Sequence, residues 1–331
     1  MKRGDLPEVL ALPGLDATVM RVERLMEDMV RTADPELADP CVRILRAKGK
    51  RLRPTLVIAA AACGNSPARE SVLAAAASVE FMHNGSLVHD DLMDDAHSRR
   101  GVATINAREG PGMALLCGNV LFALSGQAAA RVGEAAAVEA AGTIVALCNG
   151  QTRELLDNFN TERTPEATFR SIEGKTAALF RTACRLGGIC GGLSGAHVDA
   201  LGCFGEDFGY AFQLVDDVLD LVSSEARVRK PVHHDLRRGV YTLPVTLGLT
   251  GEAMAQLAAA VRDGDMDEAM AIVWSGNGLK RVAGLAIDHT DSAAGHLAPL
   301  IDRPAARGLV QLAASYVEGE LQKAGLLEVV R

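Results

Sequence analysis

What most limits the fold of this chain is a set of carboxylates lying inside apolar helical sequence. FQLVDDVLDL, Phe212–Leu221, sets Asp216, Asp217 and Asp220 among Leu, Val and Phe. Such a stretch belongs in a protein interior, and three carboxylates there need hydrogen-bond partners, cations or a metal. The same Asp-Asp-x-x-Asp spacing stands earlier, in SLVHDDLMDDAHSRRG (Ser86–Gly101), as Asp90, Asp91 and Asp94 behind an apolar run of Val79, Phe81, Met82, Leu87 and Val88. On a helix Asp90 and Asp94 share a face, while Asp91 points about 100° away. A single cluster reads as a solvated acidic helix end. Its recurrence argues instead for an oxygen-only, multi-carboxylate site, which suits Mg²⁺ bridging to phosphates.

Helical periodicity dominates the rest, and no segment alternates well enough to be a strand. Helices are expected over Asp16–Thr32, Arg51–Cys63, Ala68–Asp95, Met113–Val132, Glu134–Asn158 and His197–Val222, with another starting at Thr164-Pro165-Glu166. Gly64-Asn65-Ser66-Pro67 is a turn, and Gly110-Pro111-Gly112 breaks the chain. The glycine-rich LGGICGGLSG (Leu186–Gly195) has no strand before it, so it reads as close helix contact and not as a phosphate loop. Ser223–Tyr241 is polar and irregular, a candidate lid, and helices continue from Leu243 to the end. No long linker or internal repeat separates domains. The expectation is one all-α domain over residues 1–331, a helical bundle with two acidic helices facing each other across a central cavity.

Composition narrows the function. A net charge of -8 argues against general nucleic-acid binding, and 48 % hydrophobic residues supply a sizeable core. Apolar runs look too short for a membrane span of about 18 residues. Asp5 and Glu8 interrupt any signal-peptide-like N-terminus. Seven cysteines without a Cys-x-x-Cys read as reduced packing residues of a cytoplasmic protein.

Cations accompany the carboxylates. Lys48-Gly49-Lys50-Arg51-Leu52-Arg53-Pro54 puts four cations and a glycine before a helix start, an arrangement that suits an anion; the bland alternative is a solvated basic run. His83 lies seven residues before Asp90, on the same helical stripe, and is either a satisfied core histidine or ligand-facing. Arg99 and Arg100 follow the first acidic segment, and Lys230 with Asp235 and Arg237-Arg238-Gly239 follow the second. Gly174-Lys175-Thr176 alone is weak, a surface lysine being the default. Phe204, Phe208 and Phe212 form a stripe at spacing four, usually core, and able to line an apolar tunnel.

Together these segments resemble the trans-isoprenyl diphosphate synthases, the polyprenyl synthetase family with the all-α isoprenoid synthase fold. The resemblance runs from Gly49 to Pro244 in unbroken order: GKRLRP, EFMHNGSLVHDDLMD, RRG, GKTAALF, FQLVDDVLD and DLRRGVYTLP. It implies a Mg²⁺-dependent prenyltransferase that joins isopentenyl diphosphate to an allylic diphosphate (dimethylallyl, geranyl or farnesyl). Asp90, Asp94 and Asp216 would ligate Mg²⁺, three ions by the family pattern, with Asp91, Asp217 and Asp220 in support. Arg99, Lys175, Thr176, Gln213 and Lys230 would hold the allylic diphosphate; Lys50, Arg53, His83 and Arg100 would hold that of isopentenyl diphosphate. The implied sequence is ionisation, condensation and elimination, which needs neither nucleophile nor dedicated general base. A homodimer is implied as well. The chain departs from the pattern at Arg229 and His233, where glycines usually stand, with His234 next, and at Asn119, where aspartate is usual.

In this family bulky aromatics four and five residues before the first motif stop the product at fifteen carbons. Here those places hold Ser86 and Gly85, with Met82 a turn further back. Ser86 and Met82 lie about 6 and 12 Å below Asp90 at helical rise. The expected product is therefore twenty carbons or longer, with Met82, Phe81 or Phe122 setting the limit. Two other readings are a class I terpene cyclase of the same fold and a non-catalytic subunit of a heteromeric synthase. The intact second aspartate segment and GKRLRP argue against the cyclase, and the retention of both aspartate sets argues against the subunit.

Overall fold

The computed structural model describes residues 3–47, 49–64, 70–222 and 233–330. Lys48, Arg229, Lys230 and most of the candidate lid lie outside them. The fold is all-α. We number the helices α1 (Leu15–Val30), α2 (Pro35–Leu45), α3 (Leu52–Ala62), α4 (Glu70–Met93), α5 (Ile105–Glu109), α6 (Pro111–Ala130), α7 (Glu134–Leu156), α8 (Pro165–Ile172), α9 (Ala178–Cys190) and α10 (Gly195–Val222). Shorter and longer helices follow, among them Leu243–Gly248, Gly251–Asp263, Met266–Ser275, Gly278–His296 and Pro304–Ala324. Helix ends agree with the sequence reading to within a few residues. Thr164 caps α8 by accepting from the Ala167 N–H, as its Thr-Pro-Glu start leads one to expect. α2 was not anticipated, because Pro40 sits inside it.

The chain divides into two compact units. The first comprises Met1–Val145, Leu179–Gly205 and His296–Leu312; the second comprises Ala146–Ala178, Glu206–Gly295 and Ala313–Arg331.

In the first unit α3 and α4 are apolar nearly all round and buried accordingly. Glycines set how closely α9 approaches α3. A Cβ on Gly187 would lie 2.4 Å from the Val57 carbonyl oxygen, and one on Gly191 2.7 Å from that of Ala61. The glycine-rich segment is thus a close helix contact. α6 lies along α4, with Ser78 and Ser125 sharing a buried hydrogen bond of 3.2 Å.

α6 corrects one expectation. Its 20 residues contain no charge and have a mean hydropathy of 1.5, so by length and composition it could cross a membrane. It is only 44 % buried.

A second correction is a two-stranded hairpin, β1 (Ser98–Arg99) and β2 (Val102–Ala103), where no strand was expected. Its two turn residues, Arg100 (φ 52°) and Gly101 (φ 80°), both take positive φ, as a type I′ turn requires. Glycine does so freely; arginine is strained.

In the second unit Phe208 is fully buried against Tyr316, and Phe212 stacks on the same ring at 5.0 Å. Phe204, at the end of the first unit, is fully buried too. The Phe204–Phe208–Phe212 stripe is therefore packing. α7 meets the chain before α9 through paired glycines, since a Cβ on Gly174 would fall 2.8 Å from the Gly150 Cα. Beside that contact Glu173–Ala177 winds as a single π-helical turn, a geometry frequent at functional sites.

Candidate active site

α4 delivers the first acidic segment at its C-terminal end. Helical spacing sorts the carboxylates: Asp90 and Asp94 lie half-buried, and Asp91 turns inward and is buried. The hairpin brings Arg99 back onto Asp91, Nε to Oδ1 at 2.6 Å. Burial pushes the Asp91 carboxyl above its ordinary range, and the Arg99 guanidinium opposes the shift.

The strained turn aims the next residue the other way. Arg100 Nη2 lies 3.5 Å from His83 Nε2, and Arg53 Nη1 lies 3.3 Å from the same nitrogen. Both guanidiniums donate, so Nε2 carries no proton. Burial drives the imidazole well below its usual range, with Arg53, Arg100, Arg99 and Arg51 adding repulsion. Burial also lowers Arg100. The Arg53 guanidinium sits 4.8 Å over the Phe180 ring. Gly49 completes the floor: a Cβ there would come 2.9 Å from Arg100 Nη1. Three of the four residues assigned to isopentenyl diphosphate thus converge on one spot, two cations and a neutral imidazole. Lys50, the fourth, is exposed on the adjoining loop.

Arg51 does something else. It is buried, at φ 52°, and binds Glu23 at 2.8 Å, Glu80 at 2.9 Å and the Leu45 carbonyl. It pins the basic loop from beneath. A cavity of about 440 Å³ opens on that outer side, touching the loop at Gly49 and Arg51.

Of the chain-length residues, Met82 is fully buried. Ser86 is half-buried and donates to the His83 carbonyl at 2.9 Å. Gly85 faces α6: a Cβ there would meet the Gly118 carbonyl oxygen and the Phe122 ring, each at 3.3 Å. Its smallness answers helix packing. The neighbouring His89 ring packs edge-on to Phe122 and lies so close over Gly118 that any Cβ there would overlap it.

The second unit repeats the sorting. Asp216 is exposed, Asp220 half-buried and Asp217 buried. A relay satisfies Asp217: Thr176 Oγ1 donates to Gln213 Oε1 at 2.7 Å, and Gln213 Nε2 donates to Asp217 Oδ1 at 2.8 Å. Burial holds the Asp217 carboxyl well above its ordinary range, against the Gln213 bond, and Asp235, Asp216 and Glu154 add negative charge. Asp220 accepts the Asp235 N–H at 3.4 Å. The π-helical turn carries Lys175, whose Nζ lies 2.5 Å from Glu154 Oε1. Glu154 went unnoticed in the sequence; only the pairing reveals it. Lys230 lies outside the described residues. His233 is at φ 58°, a left-handed conformation that glycine would adopt without strain.

This donor set fits a hard divalent cation. The carboxylates are oxygen donors, and Asp235, Asp216 and Glu154 add like charge around Asp217. Among the described residues no three acidic, His or Cys side chains are gathered into a ready-made shell. A cation here would take its remaining ligands from water and phosphate oxygens, as Mg²⁺ commonly does.

Comparison with known proteins agrees with this geometry. Residues 34–273 match the family model described as polyprenyl synthetase. The nonaprenyl diphosphate synthase of Mycobacterium tuberculosis is 33 % identical over 315 residues, 93 % of this chain and 94 % of that protein. The crystal structure of a decaprenyl diphosphate synthase from Rhodobacter capsulatus superposes with a TM-score of 0.85 at 32 % identity, covering 99 % of each chain. A polyprenyl synthase from Caulobacter crescentus, complexed with calcium and isoprenyl diphosphate, gives 0.86 at 28 % identity over 94 % of this chain and 97 % of that one. The chain belongs to the polyprenyl synthetase family and has the all-α isoprenoid synthase fold.

Proposed function

We propose that the chain is a trans-prenyl diphosphate synthase that adds isopentenyl diphosphate to an allylic diphosphate, with a product of twenty carbons or longer. The observation that carries this reading is the Arg53–His83–Arg100 cluster in the same unit as the Asp90/Asp94 face. It is an anion site beside a metal-type carboxylate face, as a diphosphate substrate and a metal-bound diphosphate require.

In this reading Asp90, Asp94 and Asp216 would hold Mg²⁺, three ions by the family pattern, with Asp91, Asp217 and Asp220 in support. The ions when bound neutralise the charge that develops on the departing allylic diphosphate. Arg53, Arg100 and Lys50 bind the diphosphate of isopentenyl diphosphate, with His83 neutral between them. Lys175, Thr176 and Gln213 face the allylic diphosphate, joined by Arg99 and Lys230. By the family pattern, the proton lost at the end leaves with the pyrophosphate. Ser86 and Met82 line the path of the growing chain. We place the enzyme in the cytoplasm as a homodimer. α6 and the start of α7 support the dimer, because Leu115, Leu116, Val138 and Val145 are all exposed.

The test is incubation with labelled isopentenyl diphosphate, each allylic primer and Mg²⁺, followed by chromatography. Incorporation into prenyl diphosphates of twenty carbons or more supports the reading. A cyclised hydrocarbon from the primer alone identifies a cyclase, and no turnover by the chain alone identifies a subunit of a larger synthase.

A further inference from the structure

Glu154 has no part in the chemistry proposed above, yet it is built into the second unit's site. Gly150 and Glu154 stand four apart on α7 and so share a face. At Gly150 that face meets the π-helical turn backbone to backbone. A Cβ there would overlap the Lys175 nitrogen, and the Ser171 hydroxyl donates to the Gly150 carbonyl at 3.1 Å. One turn on, Glu154 Oε1 accepts from Lys175 Nζ at 2.5 Å. Lys175 is therefore fixed at both ends, its backbone by a glycine contact and its ammonium head by a carboxylate.

Stability does not explain the carboxylate. The Lys175 and Glu154 side chains are 33 % and 17 % exposed, and partly solvated pairs of this kind contribute little to folding. Glu154 also adds like charge near Asp217, whose carboxyl is raised first by burial and then by its acidic neighbours. What Glu154 supplies is direction. A lysine ammonium carries three donors on a flexible four-carbon stem. With one donor on Glu154, the head is held in place and two donors remain. The next residue is arranged the same way, since Thr176 Oγ1 is held through Gln213 by Asp217.

We propose that Glu154 is a positioning residue for the allylic diphosphate, holding Lys175 Nζ so that its two remaining N–H groups are presented to phosphate oxygens. This rests on the assignment of Lys175 to that diphosphate. Glu154 touches neither substrate nor metal and acts through Lys175.

The experiment compares the full chain with Glu154→Ala, Glu154→Gln, Lys175→Ala and the Glu154→Ala/Lys175→Ala double variant. Each is assayed with the allylic primer and isopentenyl diphosphate varied separately, and each is unfolded in urea. Glu154→Ala should lower kcat/KM for the allylic primer roughly 10- to 100-fold. The KM for isopentenyl diphosphate, the Mg²⁺ concentration for half-maximal rate and the urea midpoint should stay where they are. Glu154→Gln keeps an acceptor oxygen and should recover most of the loss. In the Lys175→Ala background Glu154→Ala should have no further effect, because a residue that acts only through Lys175 has nothing left to hold. The same cycle is read in binding of the unreactive thiolo analogue of geranyl diphosphate with Mg²⁺, which keeps the comparison open for variants too slow to assay. Additive losses, an equal loss for both substrates or a raised Mg²⁺ requirement in an active wild-type background overturns the inference alone. A wild-type chain that elongates no primer overturns the reading of the site and this inference with it.

Discussion

Glu80→Ala should destabilise the protein far more than a typical surface change, by an amount the structure bounds. Glu80 and Arg51 form an ion pair at 2.9 Å, their side chains only 4 % and 6 % exposed. Removing one partner of a buried pair costs about 3–5 kcal/mol, because the other charge stays buried without compensation. Arg51 keeps Glu23 at 2.8 Å and the Leu45 carbonyl, so the cost falls at the lower end, about 3 kcal/mol. Glu80→Gln keeps an acceptor oxygen and loses only charge, and should cost about 1–2 kcal/mol. Replacing both residues, Arg51→Met with Glu80→Leu, removes the two charges together and should cost less than Glu80→Ala alone. The assay is urea unfolding, with midpoint and slope compared across the three variants. A loss below about 1 kcal/mol for Glu80→Ala, or a double variant as unstable as the single one, refutes the assignment of Arg51 as the buried anchor of the basic loop.

Other perturbations test other parts. The His83 imidazole is depressed in the folded chain, so below its ordinary value of 6.5 the unfolded chain takes a proton that the folded one does not. His83 should therefore make stability fall as pH drops from 6.5 toward the folded value, and His83→Gln should remove that slope in pH-dependent unfolding; equal slopes would sink the account. Gly118→Ala forces a methyl into the His89 ring and should cost about 1–3 kcal/mol in denaturant unfolding, whereas Gly126→Ala, which meets nothing, should be neutral or stabilising. Ser86→Phe should shorten the product on chromatography, and an unchanged product distribution would remove Ser86 from the chain's path. Asp91→Asn should raise substrate KM through a displaced Arg99 while leaving the Mg²⁺ concentration for half-maximal rate close to its original value, and the reverse pattern would make Asp91 a direct ligand.

Some of this was legible in the sequence because helical spacing carries it. A separation of four put Asp90 with Asp94 and pointed Asp91 away, and the structure leaves Asp90 and Asp94 half-buried and turns Asp91 inward. The glycine-rich LGGICGGLSG was readable as close packing, because no strand preceded it and small residues have few other uses in a helix. What escaped lacks local periodicity. A hairpin of two-residue strands is too short to alternate, so the turn that separates Arg99 from Arg100 left no trace. The π-helical turn at Glu173–Ala177 spans five residues and looks like any helix. Glu154 under Lys175, Glu80 under Arg51 and Cys41 beside Cys117 are tertiary pairings across 21, 29 and 76 positions, which no window detects.

The two acidic segments share more than a spacing. In each the second aspartate turns inward, and its partner is a residue assigned to a diphosphate: Arg99 for Asp91, and Gln213 with Thr176 behind it for Asp217. In the proposed reading the outward carboxylates take a cation with its waters, and the inward ones hold the side chains proposed to meet the anion. A buried carboxylate is costly, as the upward shifts of Asp91 and Asp217 register. Solvation alone would have turned both outward. Their inward placement makes sense if each acidic turn must fix two things at once, a metal on its outer face and an oriented donor behind it. A helix does this economically, because adjacent residues point about 100° apart while residues four apart align. The doubled aspartate is thus one site read on two faces, and that accounts for Asp-Asp-x-x-Asp where Asp-x-x-x-Asp would suffice for metal alone.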